Sequence, residues 1–151
     1  MHPVFMYGSN LHPLRLQSRA PSWDGNYTRA FLSDRELRFN KRSRKYIVAA
    51  NIIPHPTRRV WGIIVNLNSD DLQAMDGYEG CPTNYNRIWA SPCLEGGEIV
   101  KTHTYQAHPD TILEGKHPTP NYLQYVLEGA RLCGLPEDYI NAIARSGRAK
   151  S

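Results

Sequence analysis

Three cysteines in 151 residues are too few and too scattered to staple a fold. Cys81, Cys93 and Cys133 are odd in number, and none belongs to a Cys-x-x-Cys pair. Neither a disulfide framework nor a zinc site is expected, and a reducing cytoplasm is the expected setting. No stretch approaches the ~18 consecutive apolar residues that a membrane helix requires. The opening Met1-His2-Pro3-Val4-Phe5 lacks the basic segment and long apolar run of a secretory leader. No membrane partner is expected. The histidines show no His-x-x-x-His spacing, so no metal is expected, and no cofactor motif is present. Internal repeats, low-complexity tracts and heptads are also missing, which excludes a solenoid or coiled coil and leaves the oligomeric state open.

What is present describes a globular chain. Hydrophobic residues make up 40% and charged residues 21%, enough apolar material for a core without the charge excess of a disordered segment. A single domain over residues 1–145 is expected, with 146–151 as a basic, frayed tail. The formal net charge of +4 favours contact with anions without naming nucleic acid as the partner.

Val4-Phe5-Met6 is short and continuously apolar, as in a strand buried on both faces. Pro13 suits the first turn of a short helix that Pro21 would stop. Residues 28–32, 36–40, 46–53 and 60–67 are β-branched or aromatic runs, divided by Ser33-Asp34, a charged turn and Pro54-His55-Pro56. Ser69-Asp70-Asp71 reads as a helix cap with acidic first-turn residues, and Gly77 limits that helix to about residue 76. Strands at 85–91 and 99–105 flank a Glu95-Gly96-Gly97 turn. Two helices finish the chain: 122–133, stopped by Gly134, and another after Pro136. This order excludes a regular βαβ alternation. It predicts an α+β domain with a mixed or antiparallel sheet, curled into a barrel.

Two segments carry chemistry. Tyr7-Gly8-Ser9-Asn10-Leu11 follows the first strand as a tight turn whose N–H groups can face an anion or developing oxyanion. Met75-Asp76-Gly77-Tyr78-Glu79-Gly80 places a lone carboxylate, Glu79, between glycines, where it can move protons. Taken singly, such a turn is ordinary loop chemistry and such a glutamate an ordinary surface residue.

Together these segments resemble the gamma-glutamylcyclotransferase-like superfamily, whose members carry Tyr-Gly-Ser-Asn-Leu after the first strand and Leu-Asp-x-x-Glu-Gly later. Here methionine replaces that leucine. Leu37-Arg38-Phe39-Asn40-Lys41-Arg42-Ser43, Ala50-Asn51-Ile52-Ile53-Pro54, Val60-Trp61-Gly62, Tyr85-Asn86-Arg87, Pro120-Asn121-Tyr122 and Gly134-Leu135-Pro136 extend the likeness in order. The resemblance implies a small mixed β-barrel flanked by helices. It also implies cofactor-free conversion of a γ-glutamyl amide to 5-oxoproline and an amine. By the same resemblance Glu79 is the acid/base, and Tyr7, Gly8, Ser9, Asn10 and Leu11 anchor the substrate. Tyr85, Tyr105 and Tyr122 line the pocket. Tyr78, Cys81 and the barrel wall would provide the apolar surroundings that raise the pKa of Glu79. Residues 107–120 and 81–84 are the expected selectors of the amine.

Three other readings accompany this one. A pocket that binds a metabolite or modified peptide without turnover would use the same fold. A nucleophilic cysteine would need a base and an orienting partner. The basic run Arg35, Arg38, Lys41, Arg42, Arg44, Lys45, with Phe39 and Tyr46 interleaved, resembles a nucleic-acid-binding face. The bland account of that run, a solvated hairpin whose charges discourage edge pairing, is preferred.

Overall fold

The computed structural model describes residues 1–148. Six strands and four α-helices follow in the order β1 (His2–Met6), α1 (Pro13–Arg19), β2 (Thr28–Ser43), β3 (Ile47–Leu67), α2 (Ser69–Tyr78), β4 (Tyr85–Ala90), β5 (Cys93–Leu94), β6 (Thr102–Ala107), α3 (Pro120–Leu132) and α4 (Glu137–Gly147). The sheet order is β4-β6-β1-β3-β2-β5, with β1 and β6 parallel and the other pairs antiparallel. The sheet is mixed, as expected, but it is open. The expected barrel does not close, because β5 is a two-residue strand at one end and β4 lies at the other.

β1 is the central strand. Val4, Phe5 and Met6 are at most 2% exposed because β3 and β6 flank them and helices cover the sheet. That accounts for a continuous apolar run where a half-buried strand would alternate.

The four short strands expected between 28 and 67 are two long ones. Pro54-His55-Pro56 does not break β3; the register jumps from Arg35↔Pro54 to Ser33↔Arg59. Residues 55–58 therefore bulge opposite Asp34, which sits at φ 58°. A bulge needs no ladder N–H, so proline is tolerated there. A second shift, between Phe39 and Lys41, leaves Asn40 outside the pairing. The last expected strand moves from 99–105 to Thr102–Ala107, with Ile99 making only an isolated bridge to Cys93.

Helix starts follow their caps. His12 accepts from the Leu14 N–H ahead of Pro13, and Thr119 accepts from the Tyr122 N–H ahead of Pro120. For α2 the cap is Asn68, one residue before the expected serine; its Oδ1 accepts from Asp71 N at 2.8 Å. Gly77 does not stop α2, since a glycine can occupy a last turn; the chain reverses at Gly80, φ 66°. The helix α4 runs through Gly147, two residues into the segment expected as a tail, because Gly147 lies against Leu123 and Phe39. Residues 149–151 of that expected tail lie outside the described residues. Among the described residues no helix is long and apolar enough to cross a membrane.

Candidate active site

The site is a notch in the sheet. β1 pairs with residues 63–67 of β3 and then stops at Met6. The chain turns at Tyr7-Gly8 into a single 3₁₀ turn, Ser9–Leu11. The early half of β3 therefore keeps β2 on one edge and loses β1 on the other. Tyrosines fill the vacated edge: the Ala50 N–H donates to the Tyr122 hydroxyl (3.0 Å), and the Tyr85 hydroxyl donates to the Ala50 carbonyl (2.7 Å). Gly8 lets the turn lie against this edge. A Cβ there would stand 3.3 Å from the Ala50 Cβ.

Glu79 caps the C-terminal end of α2, its N–H bonded to the Met75 carbonyl at 2.9 Å. Its Oε1 accepts from Asn10 Nδ2 at 2.9 Å, and Asn10 Oδ1 accepts from Arg19 Nη1 at 3.1 Å. A relay from α1 through the turn thus fixes the carboxylate. The residue is partly exposed as a whole, yet desolvation of its carboxyl is the largest influence and raises its pKa above the ordinary 4.5. Arg19, the Asn10 hydrogen bond, Lys41 and Arg15 oppose that rise. A carboxyl with a raised pKa is a better match for proton transfer near neutrality than a surface glutamate.

The cavity in front of Glu79 is lined by Phe5, Met6, the Tyr7–Asn10 segment, Ala50, Tyr85, Tyr105 and Tyr122. The space in front of Glu79, counted together with open solvent at its mouth, is about 350 Å³. Its apolar wall is therefore the end of β1 and the tyrosine rings. The expected contribution of Tyr78 is absent, because that ring is 57% exposed and stacks under Arg19. Three hydroxyls are committed to the scaffold. Tyr7 donates to the Tyr105 carbonyl, Tyr85 to that of Ala50, and Tyr105 to Asp76 Oδ1 at 2.6 Å. The Tyr122 oxygen accepts from Ala50, which leaves its own proton available. Burial raises the pKa of all four phenols, so each remains protonated.

Of the expected anchoring residues, Leu11 is not brought to the cavity. It is fully buried under α3, its carbonyl taking the Cys133 thiol at 3.2 Å. Gly129 permits this contact; a Cβ there would lie 2.6 Å from the His12 nitrogen. Ser9 and Asn10 open the 3₁₀ turn, and the first N–H groups of a helix have no partner within it. At Cys81 the nucleophilic reading loses its chemistry. Burial pushes the Cys81 thiol up to about 11, with Asp76 and Glu79 adding to the rise, so it is not a thiolate near neutral pH. Among the described residues no group of three or more His, Cys, Asp or Glu side chains could hold a metal ion.

Outside the cavity, sharing Ser9, Glu79, Tyr85 and Tyr122 with it, runs a wider groove. Sequence reasoning missed two of its cations, Arg15 and Arg19, one turn apart on α1. The i, i+4 spacing of Arg15 and Arg19 was the available signal. The basic run of β2 divides here. Arg38 pairs outward with Glu36 (3.3 Å) and Glu114 (3.4 Å), whereas Lys41, Arg42 and Arg44 line the groove. Of the two segments expected to select the amine, only Asn84 reaches the groove. Residues 107–120 are held against the hairpin instead, Leu113 N bonding to Asn40 O and Thr119 N to Tyr46 O. Asp76, which holds Tyr105 and lies 3.6 Å from Arg87, was also missed.

Comparison with known proteins agrees with this arrangement. The sequence pattern of the AIG2-like family matches residues 59–143, more than half of the chain. Gamma-glutamylcyclotransferase of Bos taurus is 31% identical over 141 residues, covering 89% of this chain and 73% of its own. The Homo sapiens gamma-glutamylcyclotransferase is 30% identical over the same shares. A solved structure of a gamma-glutamyl cyclotransferase superposes with a TM-score of 0.88 at 25% identity, covering 99% of this chain and 89% of the other. The chain belongs to the gamma-glutamylcyclotransferase-like superfamily, through its AIG2-like family.

Proposed function

We propose that this chain is a gamma-glutamyl cyclotransferase, releasing 5-oxoproline and a free amine from a γ-glutamyl amide. The observation that carries this reading is Glu79, a carboxylate held by Asn10 at the seam between the cavity and the groove.

Binding folds the glutamyl chain so that its α-nitrogen approaches its own γ-carbonyl carbon. Ring closure is already intramolecular, so the protein contributes orientation, a term worth up to about 7–11 kcal/mol in the best model reactions. The Glu79 carboxylate takes a proton from the α-ammonium. The freed lone pair forms the new C–N bond while the carbonyl π pair moves to oxygen. N–H groups of the Ser9–Asn10 turn and the Tyr122 hydroxyl are the donors nearest to receive that oxyanion or the α-carboxylate. As the oxyanion collapses, the old C–N bond breaks and the nitrogen leaves with the proton Glu79 collected. The ring nitrogen then gives up its second proton by way of the same carboxylate to the departing amine, so the lactam is neutral and the amine leaves as an ammonium. One carboxyl thus serves as base and then acid. Nothing is oxidised or reduced, and no cofactor enters the scheme. The tyrosine rings position the glutamyl chain and exclude water; their hydroxyls chiefly hold the Tyr105 carbonyl, Asp76 and the Ala50 backbone.

The test is incubation of the protein with γ-glutamyl dipeptides, glutathione, γ-glutamyl-lysine and γ-glutamylated amines, following 5-oxoproline and the released amine by mass spectrometry. Release by the wild type and its loss in Glu79→Gln is the expected result. Turnover undiminished in Glu79→Gln would sink the mechanism. Tight binding without release would favour a binding module on the same fold.

A further inference from the structure

The outer groove gathers five cations around one carboxylate. Outside it, Arg29, Arg38, Arg58 and Arg87 each stand within 3.6 Å of a carboxylate, while cations unpaired among the described residues, such as Arg35, Lys101 and Arg131, are not gathered with the groove's five. The groove collects Arg15, Arg19, Lys41, Arg42 and Arg44, and among the described residues none of these five makes an ion pair. Among the described residues the single carboxylate lining the groove is Glu79, whose Oε1 is already bonded to Asn10. Three of the cations are held in place. Arg15 donates to the Tyr46 hydroxyl and stacks on Tyr125, Arg19 donates to Asn10, and Lys41 Nζ donates to Asn84 Oδ1 (2.8 Å) and the Arg42 carbonyl (2.7 Å). Holding a lysine only 8% exposed beside arginines costs desolvation and repulsion. An anion in the groove offsets both.

Position assigns the anion to one part of the substrate. Among the described residues no cation lines the inner cavity, whereas Arg15, Arg19, Lys41, Arg42 and Arg44 line the groove. Glu79 lines both, and a group that passes a proton from the attacking nitrogen to the leaving nitrogen must sit between the two halves of the substrate. The glutamyl half then occupies the cavity and the departing amine the groove. We infer that the groove is a subsite for a departing amine that itself carries two or more negative charges, as carboxylates or as a phosphate. This rests on the reading of the site given above and narrows its substrate class, disfavouring neutral and cationic γ-glutamyl amines.

The experiment compares kcat/KM for γ-glutamylglutamate, γ-glutamyl-phosphoethanolamine, γ-glutamylethylamide and γ-glutamyl-lysine. At low ionic strength the two anionic compounds should exceed the ethylamide by about tenfold or more. The advantage should shrink with salt, since the screening length falls from about 30 Å at 0.01 M to about 3 Å at 1 M. Arg42→Gln and Arg44→Gln, both exposed side chains, should each lower the anionic-to-neutral ratio about three- to fivefold. The double charge reversal Arg42→Glu, Arg44→Glu should turn the preference toward γ-glutamyl-lysine. Whichever anionic compound leads distinguishes carboxylate from phosphate. Equal or inverted ratios, insensitive to salt and to both arginines, would overturn the proposal while leaving cyclotransfer intact. The same compounds titrated into Glu79→Gln separate the two ideas. Charge-selective, salt-sensitive binding without wild-type turnover would keep the groove and remove the reaction, and binding of none of them would remove both.

Discussion

Asn10→Ala removes the neutral donor that ties the turn after β1 to the carboxyl of Glu79. Three contacts go: the 2.9 Å bond from Nδ2 to Glu79 Oε1, the weak 3.5 Å contact from Nδ2 to Met75 Sδ and the 3.1 Å bond from Arg19 to Oδ1. A hydrogen bond to a charged group contributes about 1.5–3 kcal/mol. If it positions the base during reaction, the loss in kcat/KM is about ten- to a hundredfold. The variant also predicts a direction on the pH axis. Burial raises the pKa of Glu79, and the Asn10 bond works against that rise. Without Asn10 the carboxyl moves further up and is protonated over a wider range. The acid limb of kcat/KM, which reports the free-enzyme base, therefore shifts to higher pH. The deficit is then larger on the acid side than on the alkaline side, where Glu79 is ionised in both proteins. Initial rates of 5-oxoproline release across about pH 5 to 9 measure this, with circular dichroism confirming the fold. A uniform loss with a stationary acid limb would refute the claim that Asn10 tunes Glu79. A limb that moves down would reverse its sign.

Further outcomes concern stability. Because the folded pKa of Glu79 is raised, folding favours its protonated form, so its ionisation costs stability as pH rises from the ordinary value of 4.5 through the folded value. Glu79→Gln should therefore melt higher than wild type at pH 7, with the gap narrowing below pH 4.5; equal melting temperatures at pH 7 would contradict this. Gly129→Ala drives a methyl to 2.6 Å from the His12 backbone and should cost about 1–3 kcal/mol in urea titrations, and an unchanged midpoint would show that the α3 contact yields freely. Tyr105→Phe breaks the 2.6 Å bond to Asp76 and should cost about 1.5–3 kcal/mol while moving KM less than about twofold. A large rise in KM at unchanged stability would instead assign that hydroxyl to the substrate.

The two motif segments were legible because each is local. A turn that must approach a strand closely requires Gly8, and a helix that ends on a carboxylate leaves Met75-Asp76-Gly77-Tyr78-Glu79-Gly80 in the chain. β1, α3 and α4 were legible for a similar reason, since burial on both faces or on one stripe writes itself into a short window. Closure of the sheet was not legible, because it depends on whether β5 is long enough to carry the ladder round, and two residues are not. The tyrosines could be picked out as residues that line the cavity, but not by the bonds they make there. Bonds spanning 29 to 98 positions decide which hydroxyls are spent on Ala50, Asp76 and Tyr105.

Lys41 shows how a cationic site can hide inside an ordinary strand. Read with a period of two, it shares a face with Phe39, and a lysine beside core residues reads as a charge on the rim of a solvated hairpin. The ladder contradicts that period at one place. Phe39 pairs with Ala50 and Lys41 with its neighbour Ala49, so Asn40 is the extra residue of a bulge. Adjacent residues of β3 point to opposite faces, and their partners on β2 do too. Phe39 therefore stays with the core, meeting Tyr122 edge-on, while Lys41 crosses to the face that Ala49 presents to the groove. The extra residue is not wasted: Asn40 bonds Glu114 and Asn51 and takes Leu113 N on its carbonyl, which holds residues 107–120 away from the groove. One inserted residue thus supplies the cation, clears the space in front of it and secures the loop. None of these is visible until β2 and β3 are paired.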